Sequence, residues 1–405
     1  MTPEHTQIDD NLVLREATLD DAKSVIELNR LVHTGPPGLD PADNIAQWTD
    51  GLFSGVNRAV KPSDFTVIED TSAGKVVSSN CLMSQTWNIG GIDTPMGMPE
   101  IVGTHADYRR RGLGRKQFEL MNKWSEDRGH LFNTIMGIGY YYRQFGYEYA
   151  IDAWGGSTTS PSALGNASKT KKDPPALTAR DASPAGTPFI ADTYINCRER
   201  AYVTVNVDAQ TFEDEMFGRS EGRTVFYRGR ILELDGEPKA FYLYELFTKK
   251  DGIRVISLEI APSVSWFDAA TSMVGDLQEL VKRFHPEGRE RCEKIEFSFG
   301  REHPVYRIFD QPLGAPLNGY AWYVRIPDVA KLVMHLGPLL EQRLVNSEFR
   351  GWSGDIKITF FTDGINLSFK EGALASALPT GIIENQEATA GYPGLTFSRA
   401  LLAQY

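Results

Sequence analysis

The sequence predicts an α/β fold of the α+β kind, repeated along the chain in more than one domain. Three observations carry that expectation. Strand-like and helix-like segments alternate through residues 1–154, a second block from residue 189 echoes their order, and the last block holds two alternating strands that meet at Asp363-Gly364. With 405 residues the chain exceeds what one core usually serves, so two or three domains are expected.

Leu12-Val-Leu-Arg-Glu16 reads as a strand. Thr18-Leu-Asp-Asp21, just before the apolar positions Ala22, Val25, Ile26 and Leu28, has the form of a capping box with Asp in the place of the usual Glu. Phe65–Glu69 and Lys75–Ser79 flank Thr71-Ser-Ala-Gly74 as a hairpin, and Glu100–Thr104 is a further strand. After Gly114 a helix carries Gln117, Leu120, Met121 and Trp124 on one face and stops at Gly129, and Leu131–Met136 returns as a strand. Residues 155–188 turn to Gly, Ser, Thr, Ala and Pro around Lys169-Thr-Lys-Lys172, and are expected to be a linker or long loop. In residues 189–316 a helix near Phe189–Arg200 precedes strands around 224–234, Ala240–Leu246 and Arg254–Ile260, a helix Trp266–Phe284 and a strand Lys294–Phe299. The block 317–405 contains the hairpin of Ile356–Phe360 and Ile365–Phe369.

Composition narrows the function. Hydrophobic residues at 41%, aromatics at 11% and charged residues at 23% exclude a wholly disordered or fibrous chain. A formal charge of -11, from 42 basic and 53 acidic residues, argues against a general nucleic-acid binder. Cys81, Cys197 and Cys292 lie far apart with no Cys-x-x-Cys, which suits a reducing cytoplasm and predicts neither a disulfide framework nor a zinc knuckle. The first fifteen residues do not read as a signal peptide. No apolar run reaches the roughly 18 to 20 residues that cross a bilayer, Leu332–Leu340 being broken by His335, Gly337 and Pro338. Neither a membrane partner nor a nucleic-acid partner is therefore expected. His33, His285, His303 and His335 have no spacing that suggests metal ligation.

One stretch carries chemistry. Val102-Gly-Thr-His-Ala-Asp-Tyr-Arg109-Arg-Arg-Gly112-Leu-Gly114-Arg115-Lys116 lies between a strand and a helix. Glycines there admit an anion to backbone N–H groups, the helix start adds unpaired donors and its positive dipole end, and the arginines add charge. Gln117 stands where a dinucleotide fingerprint would have its third glycine, and Gly-Lys-Ser/Thr is missing, so neither nucleotide motif is complete. Taken alone, the stretch is equally a solvated basic helix start.

Arg109-Arg-Arg-Gly112-Leu-Gly114 resembles the Arg/Gln-x-x-Gly-x-Gly/Ala pattern of the GNAT superfamily of acyl-CoA-dependent N-acetyltransferases. Gly139-Tyr-Tyr-Tyr142-Arg-Gln-Phe-Gly146-Tyr147 is similar to that superfamily's second element. The resemblance implies acetyl-CoA as co-substrate, held along the pantetheine by Val102, Gly103 and Thr104, at the pyrophosphate by Arg110, Arg111, Gly112, Leu113, Gly114 and Arg115, and on its other side by Gly137 and Ile138. It also implies Tyr142 as the acid that protonates the departing thiolate, while Tyr140 and Tyr141 read as wall residues. For the base, Glu100 can serve or can be a structural strand carboxylate. His105 reads as a turn residue, and Trp48 as either pocket wall or core.

The whole chain resembles the enhanced-intracellular-survival (Eis) group. That implies tandem GNAT folds, the second degenerate and without the pyrophosphate motif, then a sterol-carrier-protein-like α/β domain and a homo-oligomer. The group uses the carboxylate of its last residue as base, which here would be Tyr405. Leu395–Tyr405 resembles a helix that in relatives is followed by roughly thirty more residues, so the chain reads as short or as lacking a closing segment. The expected activity is direct acetyl transfer in a ternary complex to a primary amine of aminoglycoside, polyamine or lysine type. The alternatives are a non-catalytic acyl-CoA sensor and a lipid-binding carrier using the C-terminal lobe, against which intact Gly112, Gly114 and Tyr142 argue.

Overall fold

The computed structural model describes residues 5–33, 43–55, 58–168, 176–218, 227–247, 252–283, 292–309, 313–360, 363–381 and 395–396. Two compact units are present. The first draws on residues 1–151, 202–206 and 321–405, and the second on 152–201 and 207–320.

The first unit begins with β1 (Thr6–Gln7), β2 (Leu12–Glu16), α1 (Ala22–Val32), α2 (Asp43–Phe53), β3 (Phe65–Asp70), β4 (Lys75–Ile89), β5 (Ile92–Thr104), α3 (Leu113–Asp127), β6 (Phe132–Met136), α4 (Gly139–Tyr142) and β7 (Glu148–Ala153). The capping box at Thr18 is present, its backbone N–H donating to Asp21 Oδ2 at 2.7 Å. Arg15 grips the same carboxylate at 2.8 Å and Glu69 at 2.7 Å, so one arginine ties the first turn to β3.

Period-2 alternation sorts the strand residues onto two faces. Val67 and Val76 pack with Val25, Leu28 and Phe53 under α1 and α2, while Ile68 and Val77 pack with Leu12, Leu14 and Leu113 under α3. Gln117, fully buried on α3, fastens that helix to the sheet. Its Nε2 donates to Thr66 O at 3.1 Å and Thr66 Oγ1 at 3.0 Å, and its Oε1 accepts from Ser78 Oγ at 2.6 Å.

The second unit contains β8 (Gly156–Thr159), α5 (Pro161–Ser168), β9 (Thr178–Asp181), α6 (Thr187–Tyr194), α7 (Ala209–Phe217), β11 (Arg228–Leu234), β12 (Glu237–Phe247), β13 (Gly252–Ile260), α8 (Trp266–Arg283), β14 (Lys294–Phe297) and β15 (Ala315–Leu317). Between α6 and α7 the short strand β10 (Val203–Val205) returns to the first unit and pairs with the far end of β4. The second sheet runs β15-β8-β14-β13-β12-β11-β9. Met273, Val274 and Leu277 of α8 pack on Tyr242, Val255 and Phe297. Arg230 lies buried beneath that helix, bidentate to Asp276 at 2.7 Å on both nitrogens and bound to Asp181 at 2.6 Å. Burial charges of opposite sign together is how such groups remain ionised.

Residues 155–188, expected as a linker or loop, instead supply β8, α5 and β9 among the described residues. β8 lies inside the sheet between β14 and β15. Its Gly-Ser-Thr-Thr sequence carries no apolar alternation, and backbone pairing on both edges defines it.

The chain re-enters the first unit with β16 (Tyr320–Arg325), α9 (Val329–His335), α10 (Gly337–Val345), β17 (Gly354–Thr359), β18 (Gly364–Lys370), β19 (Ala373–Thr380) and β20 (Leu395–Thr396). β16 inserts between β6 and β7, giving the order β1-β2-β3-β4-β5-β6-β16-β7. The boundary expected at 317 thus falls just before a strand of the first sheet. The hairpin of β17 and β18 forms as expected, with Ile358 opposite Ile365. Leu395–Thr396 does not open the expected helix but pairs with β17 as a parallel strand, and Tyr405 lies outside the described residues. No helix among the described residues is long and apolar enough to cross a membrane.

The Gln117 network sets a stability test. Gln117→Leu keeps the volume but removes the three buried hydrogen bonds that fasten α3 to Thr66 and Ser78, Ser78 Oγ keeping only its bonds to Gly103 O and Thr104 Oγ1, a loss of about 2 kcal/mol. Chemical denaturation should show a lower midpoint at an unchanged slope.

Candidate active site

The site begins where two parallel strands part. β5 and β6 are in register only at Met96 opposite Phe132 and Gly97 opposite Asn133. Beyond that point β6 runs with β16, Trp322 opposite Met136, and Met98–Thr104 have no partner in β6 among the described residues. On its other edge β5 carries a bulge. Ser79 faces Gly103 but Cys81 faces Glu100, so Ile101 and Val102 of β5 stand opposite the single Asn80 of β4, and Ile101 takes up the excess at φ 53°. A bulge bends its strand and sharpens its twist, here on the strand that must swing away from β6. The result is a wedge with backbone groups of Val102–Thr104 on one wall and Gly137–Ile138 at the end of the other. A Cβ at Gly103 would lie 2.6 Å from Val32 Cγ2, so this glycine admits α1 against the bulged strand.

The chain that follows β5 forms the candidate anion cradle. Arg110 (φ 64°) and Gly112 (φ 74°) both take left-handed conformations and turn the chain into α3, whose first turn has no side-chain cap. The opening N–H groups of Leu113, Gly114 and Arg115 are therefore available to an anion. Arg110 is exposed and makes no hydrogen bond or ion pair among the described residues. Arg115 binds Gln144 at 3.1 Å and lies 5.6 Å over the Phe145 ring. Arg111 is held by Asp9 at 2.6 Å and by the Tyr108 ring. A Cβ at Gly114 would lie 2.5 Å from the Tyr141 hydroxyl, which brings that hydroxyl to the helix start.

Tyr142 closes α4, buried to 8% exposure among Phe118, Tyr141 and Tyr147. Its ring lies against Gly137, where a Cβ would strike it and would stand 3.2 Å from its hydroxyl. The hydroxyl thus reaches the end of β6 at the wedge. Ile138 is exposed and Val102 packs under the same aromatic group. One residue missed in the sequence, Tyr323 of β16, sets its hydroxyl against Gly139 and its ring 6.2 Å from Tyr149. Its position follows from the insertion of β16 beside β6, which no local pattern announces.

Glu100 stands on the face under α1 and α2, since its register partner Cys81 packs there and opposed residues share a face. Burial pushes its carboxyl up to about 7, against the hydrogen bond from the Ile101 backbone. Trp48 of α2 packs half-buried against the same cluster. His105 does act as a turn residue, its Nδ1 accepting from Asp107 N at 3.4 Å. His33 binds Asn29 O, His335 binds Asp93 O, and His285 lies outside the described residues.

The second unit repeats the parting of strands and then fills it. β13 and β14 are in register from Gly252–Lys294 to Val255–Phe297, and among the described residues only Ser298 N to Val255 O continues the pairing. His303 occupies the space beyond, its Nε2 3.2 Å from Leu258 O and its Nδ1 accepting from Val305 N at 3.3 Å. Burial drives its pKa down to about 3, so the neutral ring donates from Nε2, flanked by Trp266 and Phe299. Tyr306-Arg307-Ile308-Phe309 repeats Tyr142-Arg143-Gln144-Phe145, a likeness overlooked in the sequence, yet Tyr306 spends its hydroxyl on Phe297 O at 2.9 Å.

The sequence of residues 13–150 matches the acetyltransferase (GNAT) domain family. No curated protein matches the chain by sequence. Among solved structures, the chain is similar to a GCN5-related N-acetyltransferase from Anabaena variabilis (13% identity, 97% of this chain and 89% of that one, TM-score 0.66). A probable N-acyltransferase from Enterococcus faecalis aligns over the same shares at 13% identity and TM-score 0.64. A GCN5-related N-acetyltransferase from Kribbella flavida aligns over 98% and 90% at 14% identity and TM-score 0.63. These structures share the fold across nearly the whole chain, and the domain match lies over the strands that part and the helix that caps them. Residues 13–150 form an acetyltransferase domain of the GNAT family, and with it the chain is an acyltransferase.

Proposed function

We propose that the first unit transfers an acetyl group from acetyl-CoA directly to a primary amine in a ternary complex. The observation that carries this reading is the open wedge between β5 and β6, with an uncapped helix start at one end and the Tyr142 hydroxyl at the other. The residues fit the co-substrate: an exposed Arg110 and the α3 N–H groups suit a pyrophosphate, and the edge of Val102–Thr104 that β6 leaves without a strand partner suits an amide-bearing arm. Bound acetyl-CoA supplies an activated thioester.

In this reading Tyr142 donates its phenolic proton to the departing sulfur at the wedge mouth. Glu100 takes a proton from the acceptor ammonium, directly or through water, since a carboxyl near 7 is matched to that task at neutral pH. Trp48 walls the acceptor side. The Tyr405 carboxylate is not needed for these steps. The acceptor is an aminoglycoside, polyamine or lysine-type amine, a class that the acidic total favours electrostatically. In this reading the chain belongs with the Eis-like enzymes on the resemblance of its motifs, residues 317–405 forming a sterol-carrier-like portion whose strand β16 joins the first sheet. The three cysteines, buried and unpaired, suit the reducing cytoplasm.

Tyr142→Phe should lower kcat about 100-fold or more while changing the Kd for coenzyme A less than about threefold. Stopped assays of free thiol release, paired with calorimetric titration, measure both, and unchanged turnover removes Tyr142 from the mechanism.

Glu100 gives two pH signatures. As a base it must be ionised, so kcat/KM should rise with pH and level above about 7, and Glu100→Gln should remove that limb with most of the rate. For stability the sign is opposite. A folded carboxyl raised from 4.5 to about 7 binds its proton more tightly than the unfolded chain does, so its contribution is present below 4.5 and lost as pH rises through 7. Glu100→Gln should therefore gain Tm relative to the native protein between pH 5 and 8.

A further inference from the structure

The first unit also holds a cavity whose lining shares no residue with the wedge or the cradle. It measures about 220 Å³ and is bounded by β4, β6, β7, β10 and β16 on one side and by α9, α10, β17 and β18 on the other. Phe132, Val324, Leu332, Leu336 and Leu339 represent its walls, which are aliphatic or aromatic almost throughout. The one charged lining residue is Arg343. It is exposed, and its guanidinium lies 5.2 Å over the ring of Tyr202, itself 40% exposed.

Close-packed interiors rarely leave a void of this size, and emptying one costs the contacts its walls would otherwise make. Apolar cavities of about 150 Å³ stay dry and accept benzene, or roughly 25 Å³ per carbon, so this one matches a chain of about eight or nine carbons. A cation at the exposed edge of an apolar chamber selects for a ligand with the complementary division: a hydrocarbon tail and an anionic head. We propose that this cavity binds a medium-chain carboxylate, its tail within the chamber and its carboxylate at Arg343. The site involves none of the residues assigned to acetyl transfer and does not rest on that assignment.

The probe is sodium octanoate, added to the full chain with coenzyme A at saturation so that the wedge is occupied. Octanoate should bind saturably by calorimetry and raise Tm by about 3 °C at ten times its Kd. Octan-1-ol, with the same tail and no charge, should bind about threefold more weakly, the worth of one exposed ion pair. Arg343→Gln, at an exposed position, should erase that difference. Leu336→Trp should fill the chamber and abolish binding of both without lowering the Tm of the free protein. Should the tryptophan variant fail to fold, the octanoate-to-octanol ratio of Arg343→Gln still decides. Absence of saturable binding, binding that survives Leu336→Trp in a folded protein, or an alcohol bound as well as the acid in the native chain overturns the proposal.

Discussion

The geometry of the first unit depends on the early end of pairing between β5 and β6. Two registered pairs hold these parallel strands together, and then the bulge at Ile101 carries β5 aside. Backbone N–H and C=O groups left without a strand partner are costly when buried, so such an edge persists only where solvent or a ligand satisfies it. Most other features serve that opening. Gly103 lets α1 press on the bulged strand, Gln117 pins α3 to β3 and β4, and Gly137 gives Tyr142 a place against the end of β6.

The second wall of the wedge needs support of its own. β6 leaves β5 after Asn133, and β16 takes up its other edge through Met136. β16 also brings Tyr323 to Gly139, at the start of the short helix that carries Tyr142. A strand from the last quarter of the chain thus holds the Tyr142 segment in place. Arg325 on the same strand reaches Glu126 of α3 at 3.2 Å, linking the helix with the cradle to the strand behind it.

Local signals made much of this legible. The capping box at Thr18, the apolar face of α3 and the two glycines ahead of it placed the helix and the cradle, because each depends on neighbours within a few residues. Non-local pairing escaped the same reading. Gly156-Ser-Thr-Thr159 has no apolar alternation, yet it is a strand flanked on both edges, and the place of β16 depends on contacts with residues more than 180 positions earlier. For Glu100 the type and strand were readable, but the burial that raises its pKa comes from α1 and α2 packing over the sheet.

The second unit tests what the parting of strands is worth by itself. It has the same antiparallel pair leading into a helix, a parallel partner that diverges after a few residues, and a Tyr-Arg-x-Phe sequence after that partner. Its orphaned Leu258 carbonyl is satisfied by His303, whose ring Trp266 and Phe299 hold in place, and its Tyr306 hydroxyl is committed to the main chain. A wedge that satisfies its own edge leaves no strand-edge group there for a ligand to meet. The difference between the two units is therefore not the sheet but what meets its unpaired groups: side chains of the same unit in one, and an opening beneath an uncapped helix in the other.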